Sequence, residues 1–292
     1  DDPKGKQYVG MLKTISNNPA DIIPTADIVL FCLPAFMVEQ TLETIKPYLS
    51  SKTIVGSVVG NTGFFIFAHK VLADQPIGLF AFQRVPYISR VVEYGKKASL
   101  LGYKDKLLIA TEHISNPQEF CNDISMLFCT PTILLQSFYE VTLSNSNPIL
   151  HTGRLYSMWK DWNGEHYKNN SLFYTSWTDE ASDLLIKMDE EFFCLLDKLG
   201  VSTEHLPTLL QHYEVHDVKS LTQKIKNIPA FSDILSPMKQ TPNGWLPDFE
   251  SRYFTEDFPF GLRFIYELAH ANNINTPNID KVYQWGSSKI KQ

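Results

Sequence analysis

Proton transfer near neutral pH calls on histidine first, because its imidazole titrates there. Of the eight histidines, His151 has the setting that best suits the task. Glu140, Ser144, Asn147 and His151 are spaced to share one side of a helix, giving a polar stripe in an otherwise apolar segment. Pro148 cannot hydrogen-bond back to Ser144 and is expected to bend that helix one turn before His151. The competing reading is a structural histidine on a half-exposed helix. Arg252 offers a guanidinium, which can grip a carboxylate through two parallel hydrogen bonds. An ordinary surface ion pair explains an arginine there equally well. Asp257 precedes Pro259 and by position alone reads as a helix N-terminal aspartate, favoured by capping and the helix dipole. Its neighbour Glu256 is the alternative inward-facing acid.

Other residues invite chemistry less strongly. His205, His212 and His216 are close in sequence, but Pro207 falls among them and no carboxylate–histidine zinc motif appears, so a solvated helical face is expected and no metal. Cys32, Cys121, Cys129 and Cys194 lack CxxC spacing and sit among apolar residues, which suggests reduced, buried thiols of a cytoplasmic protein. Trp159 and Trp245 can wall a pocket, or be core.

The elements that must position these groups follow from pattern. Ala26 to Leu33 is a nearly continuous apolar run, expected of a strand covered on both faces, and Pro34 stops it. Met37, Leu42, Ile45 and Leu49 mark one side of a helix. Strands are expected at Thr53–Val59, from Gly78 to Gln83, at Ser89–Val92, Leu107–Ala110 and Thr132–Leu135. Helices are expected around Phe64–Leu72 and Pro117–Phe128. Short alternating units of this kind indicate a parallel α/β sheet. From Ser137 onward strands become scarce. The spacing of Ser137 and Glu140 is that of a capping box, opening a helix that runs to about Trp159. Ala181 to Leu199 is amphipathic and Gly200 is placed to end it. Further helices are expected at Gly261–His270 and, with Thr276 as N-cap before Pro277, through Trp285. The chain is therefore divided into an α/β domain, 1–136, and an all-α domain, 137–292.

A chain of 292 residues with 43% hydrophobic and 20% charged residues can build two such cores. Its net charge of −6 supplies no basic face for nucleic acid or an anionic membrane. No window approaches the ~18 apolar residues that span a bilayer, and the start resembles no signal peptide.

Three segments resemble the octopine/nopaline (opine) dehydrogenase family: Gly78-Leu79-Phe80-Ala81-Phe82-Gln83-Arg84-Val85-Pro86, Ser144-Asn145-Ser146-Asn147-Pro148-Ile149-Leu150-His151, and Ser251 to Leu262. The last is similar to the family's Arg-Tyr-x-x-Glu-Asp-x-Pro-x-Gly-Leu signature. The resemblance implies a Rossmann-type sheet followed by an all-helical substrate domain, NAD or NADP as cofactor, and small-molecule substrates: a 2-keto acid with an amino acid or other amine. A homodimer is compatible with it. It implies that His151 is the catalytic histidine and Asp257 its acidic partner, with Arg252, Gln83 and Asn147 on the substrate. Leu33-Pro34-Ala35 ends a parallel strand, where dinucleotides bind, and is assigned to the nicotinamide side; Ser57 and Asn61 are weaker options. A strand-to-helix turn is the plain alternative.

One departure stands out. The family's opening Gly-x-Gly-x-x-Gly turn is not found, since Gly60-Asn61-Thr62-Gly63 is too short and follows a later strand. The Rossmann unit is expected to be N-terminally incomplete, beginning about 60 residues late if a usual βαβ half preceded it. Two other readings stay open: a 2-keto-acid reductase resembling ketopantoate reductase, which needs no amine, and a non-catalytic nucleotide-binding relative. The reaction is expected in a cleft between the domains.

Overall fold

The computed structural model describes residues 2–61 and 63–290. Contacts divide the chain into two compact units, after Ser144.

The first unit carries strands β1 (Ile28–Phe31), β2 (Ile54–Val58), β3 (Gly78–Phe82), β4 (Tyr87–Glu93), β5 (Lys97–Tyr103), β6 (Leu107–Glu112) and β7 (Thr132–Leu134). Helices α1 (Ala35–Ile45), α2 (Phe64–Val71), α3 (Pro117–Leu127) and α4 (Tyr139–Thr142) alternate with them. Five strands form one sheet in the order β1-β2-β3-β6-β7. β1, β2 and β3 run parallel, as do β6 and β7, but β3 and β6 are antiparallel. The expected parallel sheet is thus a mixed one. Its cause lies between β3 and β6, where a hairpin, β4–β5, stands in place of a crossover helix. Without a crossover the chain returns antiparallel. β5 was not expected from the sequence.

β3 shows how the sheet is filled. Leu79 and Ala81 join Val55, Leu42, Phe64 and Phe65 in one apolar cluster, while Phe80 and Phe82 join Ile109, Phe120 and Ile124 in another. Side chains of a strand alternate in direction, so these are the two faces of a sheet covered on both sides. β1 differs from expectation. Phe31 is buried, but Ile28 and Leu30 on the alternate positions are exposed. Phe31 joins Val38 and Leu42 of α1 and Phe64 of α2 in one apolar cluster.

The second unit holds α5 (Asn147–Trp159), α6 (Asp179–Lys198), α7 (Leu209–Tyr213), α8 (Val218–Lys226), a hairpin of β8 (Met238–Thr241) and β9 (Gly244–Pro247), α9 (Arg252–Thr255), α10 (Arg263–Ala271) and α11 (Pro277–Lys289). α6 is its axis, burying Leu184, Leu185, Met188, Phe192, Leu195 and Leu196 and packing against α5, α8 and α11. The Thr178 side chain caps its start and Gly200, at φ +64°, follows its end. The unit is helical, as expected, with one short hairpin, β8–β9, set among its helices. Pro242-Asn243-Gly244 was the available signal, a turn sequence between short β-compatible runs.

The single helix expected from Ser137 to Trp159 is two. α4 stops at Thr142 and α5 starts afresh at Asn147, where Pro148 falls in the first turn. Proline there lacks only an N–H that a helix start leaves unbonded, so it opens a helix rather than bending one. The Asn145 side chain accepts from the Asn147 N–H, and the Ser144 hydroxyl turns back to the Val141 carbonyl. The polar stripe is divided accordingly: Glu140 and Ser144 belong to the first unit, Asn147 and His151 to the second. All four cysteines are free, but only Cys121 is buried; Cys32, Cys129 and Cys194 are exposed, against expectation. Each of these three places its thiol on or beside a turn or an outward helix face rather than in a core.

Candidate active site

His151 and Asp257 meet in the second unit. His151 stands one turn into α5, and Asp257 lies between α9 and a wide helical turn, Phe258–Leu262, that leads into α10. Two glycines let these elements close in. A Cβ on Gly261 would lie 2.5 Å from Cγ of Pro148, and one on Gly286 of α11 would lie 1.9 Å from the Phe258 ring. Proline at the start of α5 and glycine in the Arg-Tyr segment therefore fit each other directly. The Asp257 carboxylate then stands 2.8 Å from Nδ1 of His151. An ionised carboxylate only accepts hydrogen bonds, so Nδ1 carries the proton.

The other ring nitrogen is also engaged. Nε2 is 2.9 Å from the Tyr174 hydroxyl. Phe173 and Tyr253 present edges or faces to the imidazole, with centroids 6.0 and 4.8 Å away. Tyr174 is itself held by rings, stacked on Phe231 at 4.5 Å and parallel to Trp177. Burial raises the pKa of its hydroxyl well above the usual phenol range, so it stays protonated. The loop bearing it is tied down by Arg154, one turn after His151. That guanidinium donates to the carbonyls of Phe173 (3.1 Å) and Ser176 (2.7 Å) and lies over the Trp177 ring. Burial lowers the Arg154 pKa to about 10, which leaves it charged.

A cavity of about 290 Å³ opens beside the pair, lined by Asn147, His151, Arg252, Tyr253, Glu256 and Asp257. Five of the six were singled out from the sequence; Tyr253 was not. Arg252 is mostly exposed and engaged by Glu256 through two parallel bonds, Nε to Oε1 at 2.9 Å and Nη2 to Oε2 at 2.8 Å. Those hydrogen bonds raise the Arg252 pKa. Glu256 thus occupies the bidentate position that a bound carboxylate takes on a guanidinium. Burial, then the Asp257 charge, raises the pKa of Tyr253.

The remaining candidates fall in the first unit. Gln83 is buried just past β3, and its amide donates to the Glu140 carbonyl at 3.0 Å. It borders a cavity of about 360 Å³ with Arg84, Lys104, Asp105, Lys106, Leu107 and Leu108. Arg84, missed in the sequence, donates to the Ser144 carbonyl at 2.7 Å, and burial lowers its pKa. Leu33, Pro34 and Ala35 join β1 to α1, at the carboxyl end of the parallel strands. No side chain caps α1, and Leu33 and Phe36 beside its start are exposed. Uncapped helix N–H groups and apolar side chains at that edge are what the phosphates and rings of a dinucleotide need, so these residues fit such a group. Ser57 does not: its hydroxyl is buried and donates to the Val59 carbonyl.

Trp159 is core, packed on Phe249 and Phe254, and Trp245 pairs through its backbone with Tyr167. Among the described residues no cluster of histidine, cysteine or acidic side chains can hold a metal, and no helix is long and apolar enough to cross a membrane. Tyr174 and Arg154 escaped the sequence reading because aromatic and arginine residues carry no periodic signal of what they touch. The Phe173-Tyr174 pair, in a segment without helical pattern, was the only hint.

A Rossmann-like mixed sheet and a helical unit that carries a histidine–aspartate pair are a combination that suits a nicotinamide-dependent oxidoreductase. The helical unit settles which kind. Residues 134–290 match the model of the NAD/NADP octopine/nopaline dehydrogenase alpha-helical domain, and the chain belongs to that family. It is 27% identical to an opine dehydrogenase of Haliotis discus hannai over 96% of this chain and 73% of that one. It is 28% identical to a tauropine dehydrogenase of Arabella iricolor over 94% and 73%. The structure of octopine dehydrogenase with NADH and pyruvate superposes with a TM-score of 0.82 at 25% identity, covering 96% of this chain and 72% of that one.

Proposed function

We propose that this protein joins an amino acid, or another amine, to a 2-keto acid and reduces the resulting imine to a secondary amine. The observation that carries the proposal is the cavity in which the hydrogen-bonded pair His151–Asp257 stands beside Arg252, on the helical unit that matches the family. Relatives named for opine and tauropine, and a neighbour holding NADH and pyruvate, support the same substrate class.

In this reading the Arg252 guanidinium takes the keto-acid carboxylate in place of Glu256, and Asn147 offers a further polar contact from the same cavity. His151 moves the protons: it takes one as the amine adds to the keto carbon and returns one as water leaves. Asp257 holds the ring in one tautomer and stabilises its charged form. NAD(P)H, when bound, supplies hydride to the imine carbon. Leu33, Pro34 and Ala35 are the residues proposed to hold its nicotinamide side, and Gln83 to stand near the keto acid. The first unit is accordingly the nucleotide-binding domain and the second the substrate domain. We place the protein in the cytoplasm.

The test is oxidation of NADH or NADPH with pyruvate in the presence and absence of a panel of amino acids. The proposal expects consumption only when an amine is present, with a secondary amine as product. Consumption with pyruvate alone, giving a hydroxy acid, would make the protein a keto-acid reductase. Binding of the nucleotide in a titration with no turnover of any substrate pair would make it a nucleotide-binding relative.

A further inference from the structure

The charges in the cavity beside His151 are already arranged in pairs. Its lining holds one guanidinium, Arg252, and two carboxylates, Glu256 and Asp257, together with Asn147, His151 and Tyr253. Asp257 is engaged by Nδ1 of His151. Tyr253 is neutral, since burial and the Asp257 charge raise its pKa. Arg252 and Glu256 are left to each other, joined by two parallel bonds of 2.9 and 2.8 Å. From this geometry we propose that Glu256 receives the ammonium group of the amine donor once a keto acid has taken its place on Arg252. Two ion pairs then stand where there was one. The inference rests on the proposed function and adds a substrate-binding residue to it.

The pair is built to be exchanged. Arg252 leaves 83% of its side chain in solvent and Glu256 25%. An exposed pair one helical turn apart contributes little to stability, so a carboxylate from solution displaces Glu256 at small cost. Glu256 holds the Nε–Nη2 edge of the guanidinium, and a keto acid brought to either edge meets its negative charge. Once displaced, Glu256 is a partly buried anion that has lost its cation. Asp257 cannot serve in its place without giving up the imidazole, so Glu256 is the acid that the exchange frees. An amino acid near neutral pH carries its nitrogen mostly as ammonium. Taking up one carboxylate and one ammonium leaves the net charge of the cavity as it was. Each substrate therefore helps the other. The keto acid frees Glu256 for the amine, and the amine keeps Glu256 from returning to Arg252.

Binding is measured by calorimetry with NADH present, using oxamate as an unreactive mimic of the keto acid and L-alanine and L-arginine as amine probes. In the wild-type protein oxamate should raise the affinity for at least one amine by about three- to tenfold, and that amine should raise the affinity for oxamate by the same factor. Glu256→Gln keeps the size of the side chain and removes its charge. In this variant oxamate alone should bind about two- to fivefold more tightly, because its rival on Arg252 is now neutral. The amine, offered with oxamate, should bind about tenfold more weakly. A merely structural role for Glu256 would weaken both ligands, so the opposite signs are the signature. Affinities that stay unchanged, or that move in the same direction, would overturn the inference. So would a wild-type affinity for both amines that is indifferent to oxamate, which decides the matter even if Glu256→Gln does not fold. The proposed function fails separately, if NAD(P)H is consumed without an amine or not at all.

Discussion

Two histidine–carboxylate pairs in this protein are built from nearly the same groups in different surroundings. His151 and Asp257 leave 13% and 18% of their side chains exposed, and the ring has a second hydrogen-bond partner and two aromatic neighbours. His69, on α2, pairs with Glu112, at the end of β6, with 41% and 24% exposed and, among the described contacts, one ring, Phe138, edge-on to it. The first pair is surrounded, so its ring orientation is decided by the fold. Water competes for every bond of the second. The contrast teaches that a histidine beside an acid is not itself a site; the packing that denies it alternatives is what makes proton transfer directional.

The sharpest way to break that contrast is to delete both rings in turn. His151→Ala is expected to lower turnover by about 10²- to 10⁴-fold with unchanged circular dichroism, whereas His69→Ala should leave turnover within about twofold. Steady-state rates of NAD(P)H oxidation measure both. Equal losses would mean that burial does not separate the two pairs.

Much of the first pair could be read from the sequence. Arg252, Glu256 and Asp257 stand together in a short signature, and His151 follows a proline that starts its helix. What the sequence concealed was how those segments meet. The fit of Gly261 on Pro148 joins segments more than a hundred residues apart, and neither residue announces its partner. The expected helix across 137–159 went astray because proline at an interior bend and proline at a first turn look alike without the caps around them. The sheet was legible in its strands, through β-branched and aromatic runs, but not in its directions. Those depended on whether the chain between β3 and β6 made a helix or a hairpin.

Partner number, separated from burial, is tested by two carboxylates on α6. Glu191 accepts from the backbone N–H groups of Asn278 and Ile279 and from the Asn278 side chain, at 2.6–3.1 Å. It is the effective cap of α11, the task expected of Thr276, whose hydroxyl turns instead to Asp280. Glu191→Ala should destabilise the protein by about 2–3 kcal/mol in urea unfolding, since it removes a charged acceptor from several donors at a helix start.

Asp189, two residues away, is buried and accepts from the Leu209 N–H at 2.8 Å. Burial outweighs that bond and raises its pKa from 3.8 to about 6. The folded state therefore holds this proton more tightly than the unfolded chain. Its contribution is intact below pH 3.8, declines as pH rises between 3.8 and 6, and is fully lost above that. Asp189→Asn cannot ionise. The stability of this variant relative to wild type should therefore improve by about 1–3 kcal/mol from pH 4 to pH 8. Thermal melts across that range give the difference, and a flat profile would show that Asp189 is solvated in both states.

The smallest effect belongs to the exposed pair, and it completes the contrast from the other side. A double-mutant cycle with His69→Ala and Glu112→Ala is expected to return a coupling under about 1 kcal/mol at low salt, because both groups keep access to water and the pair must hold two side chains in one geometry. In about 0.5 M salt it should shrink further, as screening shortens the reach of exposed charges. The corresponding cycle for His151 and Asp257 should keep most of its coupling in the same salt, since both side chains are mostly buried. A His69–Glu112 coupling as large and as insensitive to salt would show that the carboxylate alone, without enclosing rings, suffices to hold an imidazole.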